Sequence, residues 1–84
     1  MSPKNILVVD DDKETVRLVR TYLEQAGYKV FIAYDGETAL STIRQEQPDL
    51  VVLDLMLPNR DGWDITRVMR GDTNFKNTPI IMLT

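Results

Sequence analysis

The chain has 84 residues, enough for one small domain, and a formal net charge of −3, from 10 Lys and Arg against 13 Asp and Glu. Because affinity for nucleic acids depends mainly on Lys and Arg, this balance argues against direct nucleic-acid binding. The sequence contains no Cys and no His, which excludes disulfides, thiolate or imidazole zinc sites, and Ser-His or Cys-His catalysis within this chain. A metal ion would need oxygen ligands, which favours Mg²⁺, Mn²⁺ or Ca²⁺.

The N-terminal segment shows no export or membrane signal. Its apolar run covers residues 6–9 only, too few for a secretory signal and far too few to cross a membrane. We therefore expect a cytoplasmic protein that does not bind membranes.

The first third of the chain predicts a strand, a helix and a strand. Residues 6–9 are apolar and largely β-branched, which is typical of a strand buried on both faces. Residues 13–26 have helical periodicity, and Gly27 is the expected stop signal. The apolar stripe of this helix contains Val16, Val19, Leu23 and Ala26. Residues 28–33 predict a second strand with some polar exposure.

The middle of the chain repeats this pattern. A second helix is expected to begin near Asp35-Gly36 and to end before Pro48, because the residue before a proline disfavours the helical conformation. Residues 50–53 form another apolar run and predict a third strand. A turn-rich loop at residues 57–62 follows.

The last part of the chain predicts a short third helix, a polar loop at residues 71–78 and a fourth strand at residues 79–83. Pro79 opens that strand, where no ladder donor is needed. The apolar positions of the third helix are Trp63, Ile65, Val68 and Met69. We expect Trp63 to anchor this helix in the core, and its place just after the loop also makes it a potential fluorescent reporter.

The β-α-β-α-β-α-β order predicts a parallel sheet with helices on both faces and right-handed crossovers. In such a sheet the carboxyl ends of all strands lie at one edge, where ligands bind. Asp10, Asp11 and Asp12 follow the first strand, Asp54 follows the third, and Thr84 follows the fourth. Carboxylates gathered at one edge repel each other unless a cation neutralises them, so a hard divalent ion fits this all-oxygen set.

Simpler roles compete for the same residues. Asp11 with Glu14 has the spacing of a capping box, and Asp near a helix N-terminus complements the helix dipole. Three consecutive acids exceed what a cap needs. Asp54 could serve as a turn or cap residue, but it lies between apolar segments, a poor setting for a solvated acid. Thr84 taken alone is best read as an ordinary strand-end residue.

Three common ligand motifs can be tested and set aside. The Asp10-x-Asp12-x-Glu14 pattern is similar to the start of an EF-hand loop, but the sixth position is Thr15 rather than Gly and the twelfth is Thr21 rather than Glu. The P-loop and the glycine-rich dinucleotide motif are both absent.

Four segments together resemble the receiver domain of two-component response regulators. They are Ile6-Leu7-Val8-Val9-Asp10-Asp11-Asp12, Pro48-Asp49-Leu50-Val51-Val52-Leu53-Asp54-Leu55-Met56-Leu57-Pro58, Asp61-Gly62, and Pro79-Ile80-Ile81-Met82-Leu83-Thr84. The resemblance runs through the chain in order and spacing. It implies a flavodoxin-like, doubly wound parallel sheet of order 2-1-3-4-5, of which this sequence supplies 2-1-3-4.

The resemblance also implies a role for each matching residue. Asp54 corresponds to the aspartate that accepts a phosphoryl group, and Asp10 and Asp11 to the acidic pair that holds Mg²⁺, with Mn²⁺ as an alternative ion. Asp54 and the backbone carbonyl of Met56 would complete the metal set. Thr84 corresponds to the hydroxyl residue that senses the phosphoryl group. The implied donor is a phosphohistidine on a sensor histidine kinase.

Residues 1–84 do not include the helix, the lysine-bearing fifth strand and the final helix that the family adds after the fourth strand. We interpret the sequence as one receiver domain, residues 1–84, without this C-terminal part. A short chain completed by self-association is the second interpretation. Without a fifth strand, residues 79–83 form an exposed edge, which predicts a homodimer or segment exchange through the fourth strand.

The leading functional hypothesis is a phosphoacceptor signalling domain rather than an enzyme with turnover. A fragment that binds partners but cannot be phosphorylated is the first alternative. A phosphatase of the haloacid-dehalogenase type is the second, because Asp10-x-Asp12 matches its Asp-x-Asp pattern. Lys13-Glu14 then stands where Gly-Thr is expected, and that hypothesis leaves Asp54 unexplained.

Overall fold

The computed structural model describes residues 4–58 and 60–83. Within these residues, strands and helices alternate, and their bounds lie close to the predicted ones. The elements are β1 (Asn5–Val9), α1 (Lys13–Gln25), β2 (Lys29–Ala33), α2 (Gly36–Glu46), β3 (Leu50–Asp54), α3 (Gly62–Arg70) and β4 (Ile80–Leu83). No helix in the described residues is long and apolar enough to cross a membrane.

The strands form one parallel sheet of order β2-β1-β3-β4, as expected. β1 pairs with β2 and β3, and β3 pairs with β4, all in parallel register. β2 and β4 are therefore the edge strands of the described sheet. β2 has an exposed residue at its start, three half-buried residues after it and a buried residue at its end, which agrees with the polar exposure predicted for it.

The two faces of the sheet are covered by different helices. Alternate β1 residues point to opposite faces, and Leu7 and Val9 belong to a core formed with α2 and α3. Ile6 and Val8 belong to a smaller core formed with Val16 of α1. Leu7, Val8 and Val9 are fully buried, and each such side chain contributes about 1.5–3 kcal/mol by leaving water. Helices on both faces are thus confirmed.

An aspartate caps the N-terminus of each helix. Asp12, Asp35 and Asp61 accept hydrogen bonds from the backbone N–H of Glu14, Thr38 and Asp64, respectively. The capping-box role that competed for Asp11 is therefore wrong, because α1 begins one residue later than that spacing requires. Asp11 is consequently not consumed by capping.

Two predictions about apolar side chains were also wrong. Trp63 is 59% exposed, because it occupies the outward side of α3 while Ile65 and Met69 face the core. Ala26 is exposed, because it is the C-cap of α1, where Gly27 adopts φ +97° and turns the chain away.

Candidate functional site

Strand register places the two central acids side by side at the carboxyl edge of the sheet. Val9 of β1 is paired with Leu53 of β3. The residues that follow them in the chain, Asp10 and Asp54, therefore lie at the same level of the sheet. Asp11 follows Asp10 directly. One carboxylate oxygen from each of the three side chains can be chosen so that all lie within 4.8 Å of one another.

The acids differ in their exposure to solvent. Asp10 is only 6% exposed, Asp54 is half-buried and Asp11 is exposed. The cluster thus runs from the sheet end to the surface, and a small ligand can reach it from the Asp11 side.

Asp10 is held in a position that disfavours its charge. Its Oδ1 accepts a hydrogen bond of 2.9 Å from the N–H of Asp12. Burial raises the pKa of the Asp10 carboxyl, and the negative charges of Asp54 and Asp11 raise it further, against the opposing effect of the Asp12 amide. A cation between these carboxylates would remove that penalty.

Asp54 is held by the loop that follows it, described at residues 55–58 and 60–61. Its Oδ1 accepts a hydrogen bond of 3.2 Å from the N–H of Met56. The loop is closed at its base, where the N–H of Gly62 donates to the carbonyl of Leu55 at 2.9 Å. A Cβ on Gly62 would lie 2.7 Å from the Asp54 carbonyl oxygen, so only glycine allows this approach.

The donor set fits a hard divalent cation. All three side chains present oxygen, and Mg²⁺ is commonly bound by one or two carboxylates together with waters and substrate phosphate oxygens. The side chain of Met56 is 76% exposed, and its backbone N–H is the group that contacts Asp54. Its position directly after Leu55 in the loop keeps that backbone near Asp54.

The structure brings together Asp10, Asp11 and Asp54, as the sequence predicted. Asp12, the third acid of the run, instead caps α1. Leu83 pairs with Asp54, while Thr84 lies outside the described residues. The contact of Arg60 with Gly36 and Glu37, which joins the loop after Asp54 to α2, was not anticipated from the sequence. Their contact links residues 23 positions apart, and no local pattern signals it.

The molecule is therefore an α/β protein with a parallel sheet and an acidic cluster at the carboxyl edge of that sheet. Residues 6–84 match the response regulator receiver domain family. The chain therefore belongs to that family, and its fold is the flavodoxin-like receiver fold.

Solved structures of receiver domains support this assignment. The N-terminal domain of a response regulator receiver protein from Methanoculleus marisnigri is 38% identical, with a TM-score of 0.91, and the match covers 96% of this chain and 66% of that one. The receiver domain of a sensor histidine kinase from Pseudomonas aeruginosa, solved with a magnesium ion in its active-site cleft, is 32% identical, with a TM-score of 0.92 and coverage of 98% and 67%.

A third relative is the phosphorylated cyanobacterial phytochrome response regulator RcpA. It is 31% identical, with a TM-score of 0.87, and the match covers 95% of this chain and 64% of that one. The chain thus spans about two thirds of the length of the solved relatives it matches.

Proposed function

We propose that this chain is a phosphoacceptor domain in which Asp54 receives a phosphoryl group from a phosphohistidine of a sensor histidine kinase. The observation that carries the proposal is the convergence of Asp10, Asp11 and Asp54 within 4.8 Å at the carboxyl edge of the sheet. Membership of the receiver family and the phosphorylated state of one relative support it.

The metal proposed for this site is Mg²⁺, with Mn²⁺ as an alternative. Asp10, Asp11, Asp54 and the backbone carbonyl of Met56 would hold it. A bound divalent ion would screen the repulsion between an anionic nucleophile and an anionic phosphoryl donor. The magnesium ion in the Pseudomonas aeruginosa relative supports this choice.

In the proposed reaction Asp54 is the nucleophile. One of its carboxylate oxygens forms a bond to phosphorus while the bond between phosphorus and the donor imidazole nitrogen breaks. The Met56 N–H fixes the orientation of the carboxylate by binding Oδ1. Catalysis then rests on positioning and charge stabilisation. We propose that the Thr84 hydroxyl contacts the transferred group.

The same proposal treats the chain as a signalling domain without turnover on other substrates. The receiver fold and family account for the Asp54 segment, which a haloacid-dehalogenase-type phosphatase would leave unused. Incubation with a small phosphomonoester and Mg²⁺ should release no phosphate. Sustained release by the unmodified chain, lost in Asp10→Asn, would favour the phosphatase.

A cytoplasmic location and a kinase partner belong to this proposal, as does a domain extent of residues 1–84. The rival hypothesis, an interaction fragment that cannot be phosphorylated, predicts the same fold and the same acidic cluster. Phosphorylation of Asp54 distinguishes the two hypotheses.

A small acyl phosphate such as acetyl phosphate tests the proposal without a kinase. Intact mass should rise by one phosphoryl group in the presence of Mg²⁺ and not with a chelator. Asp11→Ala should slow the reaction, whereas Asp49→Ala, an acid at the opposite end of β3, should not. Equal labelling with and without divalent ions would contradict the proposed metal role.

A further inference from the structure

We propose that Arg60 is a positioning residue that docks the acceptor loop, of which residues 55–58 and 60–61 are described, onto the first turn of α2. This inference rests on the proposed function, since it concerns how the loop holds Asp54 for phosphoryl transfer. It assigns a role to Arg60, Glu37 and Gly36, none of which belongs to the acidic cluster.

The guanidinium of Arg60 connects two helices through the loop. Its Nε donates to Glu37 Oε1 of α2 at 2.9 Å, and one terminal nitrogen donates to Asp64 Oδ2 of α3 at 2.8 Å. The hydrogen bond to Glu37 is the largest effect that raises the pKa of Arg60, in agreement with the close approach of the two charged groups. The Arg60 side chain is 31% exposed and less open to solvent than Glu37.

The backbone of Arg60 is packed too closely against the start of α2 for any side chain at position 36. A Cβ built on Gly36 would lie 2.5 Å from the Cβ of Arg60 and 2.6 Å from its carbonyl oxygen. Gly36 is buried and does not have a positive φ, so glycine is required there for proximity alone. Exposed ion pairs contribute little by themselves, so we infer that this close contact and the two hydrogen bonds of the Arg60 guanidinium together hold the loop on α2.

Hydrogen bonds connect the docked part of the loop to Asp54. The N–H of Arg60 donates to the carbonyl of Pro58 at 2.7 Å, and the loop closes at Gly62 on the carbonyl of Leu55. Met56 lies in the chain between Leu55 and Pro58, and its N–H binds Asp54 Oδ1. Release of the loop from α2 would therefore loosen the Met56 N–H, which orients the Asp54 carboxylate.

Loss of the Arg60 hydrogen bonds should slow phosphorylation more than it weakens the fold. Displacement of a reacting group by a fraction of an ångström reduces the rate because the donor and acceptor must be aligned. Global stability depends instead on the two cores, which Arg60 does not enter.

The experiment compares Arg60→Met, Glu37→Gln and their double variant with Arg67→Met in the full chain. Arg67 provides the matched control, because it also pairs with Asp64, at 2.8 Å, and among the described residues its side chain forms no ion pair or hydrogen bond with α2. Gly36→Ala disturbs the same dock without removing a charge. Each variant is measured for thermal midpoint, for amide hydrogen exchange at Met56 and Gly62, and for phosphorylation rate with saturating Mg²⁺ and acetyl phosphate.

We expect Arg60→Met and Gly36→Ala to lower the phosphorylation rate by about 3- to 30-fold, the range of couplings through such contacts, and to speed exchange at both amides. Arg67→Met should change neither quantity. Glu37→Gln should produce part of the loss, and the double variant should lose less than the product of the two single effects. Arg60→Lys, which keeps the charge but not the two-sided geometry, should recover part of the rate.

Equal loop exchange and equal rates in Arg60→Met and Arg67→Met would overturn the inference. So would a fall in rate that only parallels a fall in thermal midpoint in Arg60→Met, Glu37→Gln and Gly36→Ala, which would indicate a merely structural role. If the unmodified chain is not phosphorylated, the proposed function fails and this inference fails with it. Normal phosphorylation with unchanged rates in the variants removes this inference alone.

Discussion

Asp10 is a carboxylate placed where its charge is unfavourable without a counter-ion. It is almost completely buried, and Asp54 and Asp11 lie beside it. Its raised pKa means that, above the usual value of 3.8, the folded state holds its proton more tightly than the unfolded state. Stability therefore falls as the pH rises through this window and stays reduced at neutral pH.

Asp10→Asn should consequently stabilise the metal-free fold at pH 7 while weakening Mg²⁺ binding. Asn retains an oxygen for the Asp12 amide and removes the repulsion with the other two acids. We expect urea midpoints to rise and the Mg²⁺ dissociation constant to increase at least about tenfold, since even changes outside the ligand set cost about 10–100-fold. Below pH 3.8 the stability difference should shrink. Trp63 fluorescence can report both urea unfolding and Mg²⁺ binding.

Asp12→Asn is the matched control for this substitution. The Thr15 hydroxyl is the largest effect that lowers the pKa of Asp12, and the Glu14 amide is the next. The stability that this charge contributes is therefore fully present above the usual value of 3.8 and is lost as the pH falls through the lowered pKa. Asp12→Asn should thus reduce stability at pH 7 and leave Mg²⁺ affinity nearly unchanged. A stability change of the same sign in both variants would contradict the electrostatic account of Asp10.

The convergence of Asp10 and Asp54 was predictable because topology alone sends the ends of parallel strands to one edge. Which of three consecutive acids caps α1 was not predictable, since the answer depends on a helix boundary that shifts by one residue. The exposure of Trp63 was missed for a related reason. Helical spacing identifies an apolar stripe, but it does not show whether a residue at the first turn lies inside that stripe.

At the scale of elements, the connection between β3 and α3 is fixed by contacts that a linear sequence does not display. Gly62 begins α3 directly against the backbone of β3, and Gly36 lets α2 approach Arg60. Both residues were visible as turn signals. Their role as spacers depends on which elements become neighbours after folding.

Gly62→Ala should destabilise the fold by about 1–3 kcal/mol, the cost of overpacking a close contact, and should reduce phosphorylation of Asp54. The added Cβ would meet the Asp54 carbonyl oxygen at 2.7 Å and the Leu55 Cα at 2.9 Å. Gly71→Ala is the control, because its nearest neighbour would be the Arg67 carbonyl oxygen at 3.5 Å. Denaturant unfolding that gives equal stabilities for the two variants would refute the spacer role.

At the scale of the whole molecule, β4 is the least protected part of the described sheet. It pairs with β3 only, and Ile81 is 52% exposed. No charged side chain occurs in its Ile-Ile-Met-Leu sequence, whereas natural edge strands are commonly protected by charges or cover. This edge can accept another strand.

We therefore expect the 84-residue chain to self-associate at high concentration through β4. Ile81→Lys should reduce association by placing a charge on the edge, while Leu18→Lys on the exposed side of α1 should not. Light scattering across a wide concentration range measures this difference. A protein that stays monomeric throughout, or two variants with equal effects, would show that β4 is not the contact.

The site of phosphorylation is the most direct measurement of the proposed function. After treatment with acetyl phosphate and Mg²⁺, peptide mapping by mass spectrometry should locate the added phosphoryl group on Asp54, and hydroxylamine should remove it as expected for an acyl phosphate. Asp54→Asn should take up none, although it retains the fold. Phosphorylation that maps to Ser41, Thr42 or Thr84, or that persists in Asp54→Asn, would contradict the account.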